Sequence, residues 1–356
     1  GASRSGCGRD LNRRTGGTFG KCAVTRGRFA FIIGCIGLLI GGAEVLRSPD
    51  VSASVVAASM LATMLRFATP LTLGALAGLL CERSGVANIA IEGMMLSAAF
   101  GAFLGAAVTR NLVIGVFAGM VVGVAMATLH AWLSVSLRVD QIVSGTVINI
   151  MAAGITGFLS TEVVRRQALV GAGLLPALRI PVLADLPVVG PVFQQQPIAW
   201  VTLLLVPIAH LVIFRTPWGL RLRSVGELPR AAHAAGINVI RTRYTAVMIG
   251  GAIAGIGGAY FTLESVPAFE PLMTNGRGFI ALAALIFGGW TPAGAWAASL
   301  LFGAANALHI NAQQFGLPVP AQIVGMFPYL LTIVILAGVI GRVRPPAAVG
   351  TPYEAD

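Results

Sequence analysis

Ten predominantly apolar stretches, most of them about 20 residues long, recur along this chain of 356 residues, and the charged side chains gather in the gaps between them. The stretches fall at 29–46, 55–80, 93–109, 112–136, 142–163, 198–215, 244–263, 278–289, 293–310 and 323–341. A run of that length matches the hydrocarbon thickness of a bilayer. Only 10% of the residues are charged, against about 25% in soluble domains, too few to cover a water-facing surface. The apolar content, 56%, also excludes a disordered chain. The fold class that remains is an all-α polytopic membrane protein with about ten transmembrane helices. The eighth stretch, 278–289, is too short to cross as a straight helix and reads as a half-helix inside the bundle, where irregular backbone is tolerated.

Arginine placement orients these spans. Arg26 and Arg28 precede the first, which places the N-terminus in the cytoplasm by the positive-inside rule. Glu82 and Arg83, Arg138 and Asp140, the cluster Arg215, Arg221, Arg223, Arg230, Arg241 and Arg243, and finally Arg342 and Arg344 then fall on the same side, with 165–197 outside. Arg110, Arg165 and Arg166 are exceptions. Both termini are expected inside. Residues 1–28 read as a disordered basic cytoplasmic tail. The span at 29–46 reads as a retained helix rather than a cleaved signal, because its apolar run is longer than a signal core and no small-residue cleavage site follows it cleanly.

The net charge of +11 follows from these loop arginines and does not indicate a nucleic-acid partner. Four cysteines, Cys7, Cys22, Cys35 and Cys81, form no CxxC pair, and His130, His210, His233 and His309 lack ligand spacing, so no metal site is expected. Walker A, HExxH and GxSxG patterns are absent from the sequence. No reaction chemistry is legible, and the chain is not expected to be an enzyme. Glycine pairs at G-x-x-x-G spacing, such as Gly115/Gly119, Gly119/Gly123 and Gly251/Gly255, predict close helix packing. A faint internal repeat relates LGALAGLLCERSG (73–85) to GGAIAGIGGAYFTLES (250–265). The span parity runs the two copies in opposite directions, as in the inverted repeats of transporters.

Polar groups inside a membrane are costly and mark a transport pathway by default. Asn88 and Glu92 stand at i and i+4 in NIAIEG, Ser144, Thr146 and Asn149 lie in SGTVIN, Asn275 and Arg277 precede the eighth span, and Asn306 lies in the ninth. Helix-to-helix hydrogen bonding is the other reading of each, and for Glu92 an ion pair with Arg83 or Arg277. The most informative soluble connection, 216–243, contains GELPRAAHAAGINV. A helix of about eight residues is expected there, with Glu227 and Pro229 in its first turn and a stop at Gly236. So short a helix cannot cross a membrane, but it can dock into a partner's groove.

Three blocks carry a resemblance: CERSGVANIAIEGMMLSAAFGA (81–102), RLRSVGELPRAAHAAGINV (221–239) and NGRGFIALAALIFGGWTPAGA (275–295). With the ending PYLLTIVILAGVIGRVRPPAAVGTPYE (328–354), they resemble permease subunits of bacterial ABC importers, in the subgroup that takes up nucleosides and related simple sugars. This subgroup is kin to the ribose and branched-chain amino-acid permeases. The resemblance spans about residues 55–354 and leaves 1–50 as an added helix with its tail. Leu228 departs from the family loop, which usually reads Gly-Glu-Asn-Pro.

The resemblance implies a type II-like permease domain at 55–341 in a bacterial inner membrane, with a cytoplasmic tail at 342–356. It implies a second homologous permease, an ATPase subunit with two nucleotide-binding modules, and an extracytoplasmic substrate-binding lipoprotein. ATP and Mg would reside in the ATPase, with no cofactor in this chain. The helix within 226–239 would transmit the ATPase's motion through Gly226, Glu227, Pro229, Arg230, Ala231, Ala235 and Gly236. A nucleoside cargo would meet the intramembrane Asn, Ser and Thr groups through its ribose hydroxyls and base edges. The main rival, an ion-coupled secondary transporter of a small polar solute, would need a carboxylate relay, and Glu92 is its strongest interior candidate, since Glu162, Glu264 and Glu270 lie near span ends. A passive channel would show a filter or rings of charge, and the sequence has neither.

Overall fold

The structure, a computed structural model, describes residues 53–186, 190–314 and 344–354. The expected tail 1–28, the span 29–46 and the last span 323–341 lie outside these residues. The described chain is predominantly helical. Its membrane-length helices are α1 (Ala53–Arg83), α2 (Ile91–Thr109), α3 (Leu112–Ala131), α4 (Gln141–Leu159), α5 (Pro197–Arg215), α8 (Val239–Tyr260) and α10 (Pro292–Gln314). These make seven helices long and apolar enough to cross a membrane among the described residues. Between α5 and α8 lie two short helices, α6 (Pro217–Glu227) and α7 (Pro229–Ala234). The eighth apolar run forms α9 (Arg277–Phe287), only 11 residues, with a rise of about 16 Å, half of the roughly 30 Å core.

Local sequence explains most helix starts. Asn111 caps α3 by accepting from the amides of Val113 and Ile114, Asp140 caps α4 at Ile142 and Val143, Thr216 caps α6 at Gly219, and Asn238 caps α8 at Arg241. Three helices lead into a π-helical turn: Trp132–Ser136 after α3, Ser160–Arg165 after α4 and Phe261–Ser265 after α8. Between α4 and α5 the chain forms a small two-stranded antiparallel ribbon, pairing Leu178 with Gln195 and Arg179 with Gln194.

The bundle is built around α1, α2 and α8, which are mostly buried, whereas only about a third or less of α3, α4 and α5 is buried. The exposed faces are apolar, with Phe117 and Val121 on α3, Ile150 and Phe158 on α4, and Leu204 and Leu211 on α5. This inverts the soluble pattern and suits a lipid environment. Helices α1 and α8 run antiparallel. Gly250 lies against the Ala77 carbonyl, Gly257 against Leu73, and the Tyr260 hydroxyl donates to the Arg66 carbonyl at 2.7 Å.

The glycine spacing is used as expected. A Cβ on Gly123 would stand 2.3 Å from the Gly251 carbonyl oxygen and 2.8 Å from the Gly255 Cα, so α3 and α8 touch backbone to backbone and any side chain there would force them apart.

Candidate functional site

The polar residues of the segment between α1 and α2 hold a break in the helices. The chain turns at 84–90, and its backbone would be costly to leave unpaired in a bilayer. Helix α4 supplies partners. Gln141 Oε1 accepts from the Ala87 amide at 2.6 Å, and Asn149 accepts from the Gly93 amide at 2.7 Å and donates to the Ile89 carbonyl at 3.0 Å. Buried His130 lies 3.0 Å from the Ala87 carbonyl through Nε2 and 3.1 Å from Ser144 Oγ through Nδ1. A neutral ring then donates at Nε2, and Ser144 donates to Nδ1. Asn88 is fully buried, with its Nδ2 against Cys81 Sγ and Met94 Sδ.

Glu92 has a destination that its sequence position did not disclose. Its Oε1 accepts from Thr274 Oγ1 at 2.6 Å and from the Gly276 amide at 2.8 Å, and its Oε2 accepts from the Gly278 amide at 2.6 Å. The carboxylate therefore caps the N-terminus of α9 from another helix. The alternative of an ion pair with Arg83 is not realised: Arg83 donates instead to the Trp290 carbonyl, at 3.0 and 2.6 Å.

Of the other expected pathway residues, Thr146 is exposed on α4 and donates to the Ile142 carbonyl. Asn306 donates to the Phe302 carbonyl within α10. Asn275 is exposed and holds a left-handed turn at φ 45°.

Arg277 opens α9 and lines a cavity of about 420 Å³ together with Thr63, Arg66 and Phe67 of α1, Gln196, and Tyr260, Phe261 and Glu264 at the end of α8. Its guanidinium carbon lies 5.2 Å from the Phe261 ring centre and 5.8 Å from that of Phe67, and it donates to the Met273 carbonyl at 3.2 Å. The π-helical turn at Phe261–Ser265 presents the α8 side of this wall. Glu264 accepts from the Ile198 amide at 2.5 Å and so caps α5. Sequence reading missed Arg66, Phe67 and Phe261, because each stands on or beside an apolar run, and set Glu264 aside as lying near a span end; only the fold gathers them. Asn88, Glu92, Ser144, Thr146, Asn149, Asn275 and Asn306 are not in this wall.

The opposite end of α5 leads to the arginine-rich connection. Helix α7 is six residues long, from Pro229 to Ala234, shorter than expected, and Gly236 at φ 81° ends the turn after it. Gly226 and Glu227 belong to the end of α6 and not to the first turn of α7. Pro229 disfavours helical geometry at the residue before it, so the break falls at Leu228 (φ −143°, ψ 81°). Helix α7 buries Ala232 and exposes Arg230 and Ala231, as are Ala235 and Gly236 beyond it.

The segment 344–354 lies along this connection. Ala348 donates to the Gly226 carbonyl at 2.9 Å and Ala347 to Glu227 Oε2 at 3.3 Å, while Arg243 donates to the Thr351 carbonyl at 3.2 Å. Tyr353 packs into a cluster with Val225, Ala232 and Val239. A groove of about 570 Å³ next to α7 is lined by Trp218, Arg221, Gly236 and Arg241.

Among the described residues no group of three or more His, Cys, Asp or Glu side chains could hold a metal ion. Residues 60–336 match the family described as branched-chain amino acid transport system, permease component. The chain is 40% identical over 303 residues to a guanosine ABC transporter permease protein of Bacillus subtilis, covering 81% of this chain and 93% of that one. It is 36% identical over 305 residues to a nucleoside ABC transporter permease protein of Lactococcus lactis, covering 83% and 96%. A putative glucose ABC transporter permease protein of Haloferax volcanii is 34% identical over 309 residues, covering 80% and 93%.

Proposed function

The chain belongs to the permease component family of branched-chain amino acid transport systems, and we propose that it conducts nucleosides as one permease of an ATP-driven importer. That it is a multi-pass membrane permease of the ABC importer type follows from the family and from the seven apolar helices among the described residues. An ATPase subunit and a substrate-binding protein go with such a permease. The nucleoside cargo is the proposal, and one observation carries it: more than a third of the residues match, over most of both chains, two permeases named for guanosine and for nucleosides. A simple sugar is the second reading, supported by the putative glucose permease, which is nearly as similar.

The finer organisation is part of the same proposal. The importer sits in a bacterial inner membrane with both termini of this chain in the cytoplasm, about ten spans in all, and a type II-like bundle. The antiparallel packing of α1 on α8 supports an inverted repeat between 73–85 and 250–265. A second permease completes the pathway, an ATPase with two nucleotide-binding modules hydrolyses ATP with Mg, and an extracytoplasmic lipoprotein delivers cargo. This chain needs no cofactor of its own and performs no catalysis.

Helix α7 is the coupling element, with Pro229, Arg230 and Ala231 presented to the ATPase, Ala235 and Gly236 closing the turn, and Gly226 and Glu227 anchoring it. Its exposed alanines suit insertion into a partner's groove. Asn88, Glu92, Ser144, Asn149 and Asn275 shape the pathway by holding its broken backbone, Arg277 lines it, and Thr146 and Asn306 face the remainder of the assembly. The ion-coupled alternative is not favoured: Glu92, on which it rested, is engaged at the start of α9 by three hydrogen bonds.

The test is purification from the native membrane in mild detergent, followed by reconstitution. Co-purification of an ATPase with two Walker A motifs and a second permease, with ATP-dependent guanosine uptake, is expected. A chain that is isolated alone and transports under an ion gradient without ATP would overturn the reading.

A further inference from the structure

We infer that the groove beside the turn after α7 binds the phosphate headgroup of an anionic phospholipid, held between Arg221 of α6 and Arg241 of α8. The inference goes beyond the transport reading and is independent of the cargo, because it concerns how the permease meets its bilayer. The groove, of about 570 Å³, is lined by α6, the turn 235–238 and the first two turns of α8. It lies where α5 ends and α8 begins, two helices of membrane length. The ends of such helices stand where hydrocarbon gives way to headgroups.

The chemistry of the groove is that of an anion site with donors to spare. Arg221 and Arg241 are both exposed. Among the described residues neither guanidinium takes part in a hydrogen bond or an ion pair; only their backbones do. Two other arginines of this connection are engaged: Arg223 donates to the Gly219 carbonyl and lies over the Phe214 ring, and Arg243 donates to the Thr351 carbonyl. No residue lining the groove carries a carboxylate. Trp218 adds an indole N–H to the wall, and Asn238, whose oxygen caps α8, retains its amide donors. Guanidinium groups match the paired oxygens of a phosphate.

The occupant is a lipid and not a soluble anion, because the same surface continues as an apolar face. On α8, Arg241, Thr245 and Met248 stand at i, i+4 and i+7 and so share one side of the helix. Arg241 and Thr245 line the groove, while Met248 and its neighbour Ile249 are exposed. This gives an acyl chain an apolar rest about 10 Å deeper than the guanidinium. Leu220, beside Arg221 on α6, is exposed as well. Basic pockets between membrane helices take lipid headgroups, and indoles are enriched at that depth. The surface proposed for the ATPase is a different one: Pro229, Arg230 and Ala231 of α7 do not line the groove. A phosphate held by both arginines ties α6 to α8 across the turn that carries Gly236.

The test uses the complete transporter in a neutral detergent, without ATP or cargo. It is titrated with phosphatidylglycerol carrying a photoreactive diazirine on an acyl chain, and in parallel with the phosphatidylcholine analogue, and labelled peptides are read by mass spectrometry. Phosphatidylglycerol is expected to label α8 around Met248 at concentrations where phosphatidylcholine does not. The double variant Arg221→Gln, Arg241→Gln should need about thirtyfold more phosphatidylglycerol for the same labelling, the worth of two arginines near an anionic surface. Unchanged labelling in that variant would overturn the site. So would equal labelling by both lipids, a comparison made on the wild type and independent of how the variant accumulates.

Two further arms separate the other occupants. Inorganic phosphate in excess should leave the labelling in place, measured against chloride at the same ionic strength. Full displacement would make the groove a soluble-anion site and overturn the lipid assignment. Labelling that emerges only once the ATPase is stripped away would assign the groove to that subunit instead. Failure of the nucleoside reading moves none of these measurements, and shows only in uptake.

Discussion

Two glutamates perform the same operation in different places. Glu92 of α2 caps α9, and Glu264, at the end of α8, caps α5. Both receiving helices start without a local side-chain cap, α9 at Gly276 and α5 at Gln196. The positive end of each helix therefore attracts a carboxylate from elsewhere in the fold. Glu92→Gln retains one acceptor oxygen and loses the charge, so it should cost about 1–2 kcal/mol of stability, and Glu92→Ala about 3 kcal/mol, because buried amides then lack a partner. Thermal unfolding in detergent would show the order, and Gln as costly as Ala would mean that charge alone matters. Leu228 offers the opposite experiment. It occupies the N-cap position of α7 and makes no side-chain cap. Leu228→Asn should supply one and stabilise the helix by about 1 kcal/mol, visible as roughly fivefold slower hydrogen exchange of the α7 amides. Unchanged exchange would show that the first turn of α7 does not accept a cap in this loop.

The elements were legible where the cause is local. Apolar length marked the spans, and the short eighth run became the 11-residue α9; the caps at Asn111, Asp140, Thr216 and Asn238, equally local, emerged only with the structure. The end of α7 was readable from Gly236, but its beginning was misplaced into α6, because Pro229 acts on the residue before it and not on Glu227. What sequence could not disclose is non-local. Glu92 meets Gly276 across 184 positions, and the cavity draws its wall from six separated parts of the chain. The docking of 344–354 on the α6–α7 connection is of this kind. Tyr353 anchors that segment, being 9% exposed against Val225, Ala232 and Val239, while the neighbouring Arg138–Glu354 ion pair is solvent-exposed and contributes little. Tyr353→Ala should therefore release the segment, loosen α7 and speed trypsin cleavage at the already exposed Arg230, whereas Glu354→Gln should leave the digestion pattern as it is. Equal protection of Arg230 in both variants would show that the segment does not restrain α7.

At the scale of the whole molecule, the two ends of the bundle have different chemistry. At one end lies a cavity lined by Arg66, Phe67, Phe261 and Arg277, and at the other a short helix flanked by arginines. Between them α1 and α8 pack along their lengths, and α8 touches α3 through the bare backbone of Gly123, Gly251 and Gly255. Such contacts leave no side-chain layer to absorb a displacement, and close-packed interiors transmit strain. In the proposed coupling, a push on α7 would pass through Asn238, which caps α8, into that helix, whose far end carries Phe261 into the cavity wall. Gly236 is the one residue in this path held at φ 81°, which proline, fixed near −65°, cannot adopt. Gly236→Pro should disconnect α7 from α8 while leaving the spans, which form from their own sequences, in the membrane. The expected phenotype is a complex that assembles and hydrolyses ATP but loses guanosine uptake by an order of magnitude or more. Gly236→Ala, strained by about 1 kcal/mol at positive φ, should fall between that variant and wild type. Uptake and ATP hydrolysis measured on the same proteoliposomes separate the outcomes: a parallel loss of both would place Gly236 in assembly, and normal uptake in the proline variant would remove α7 from the coupling path.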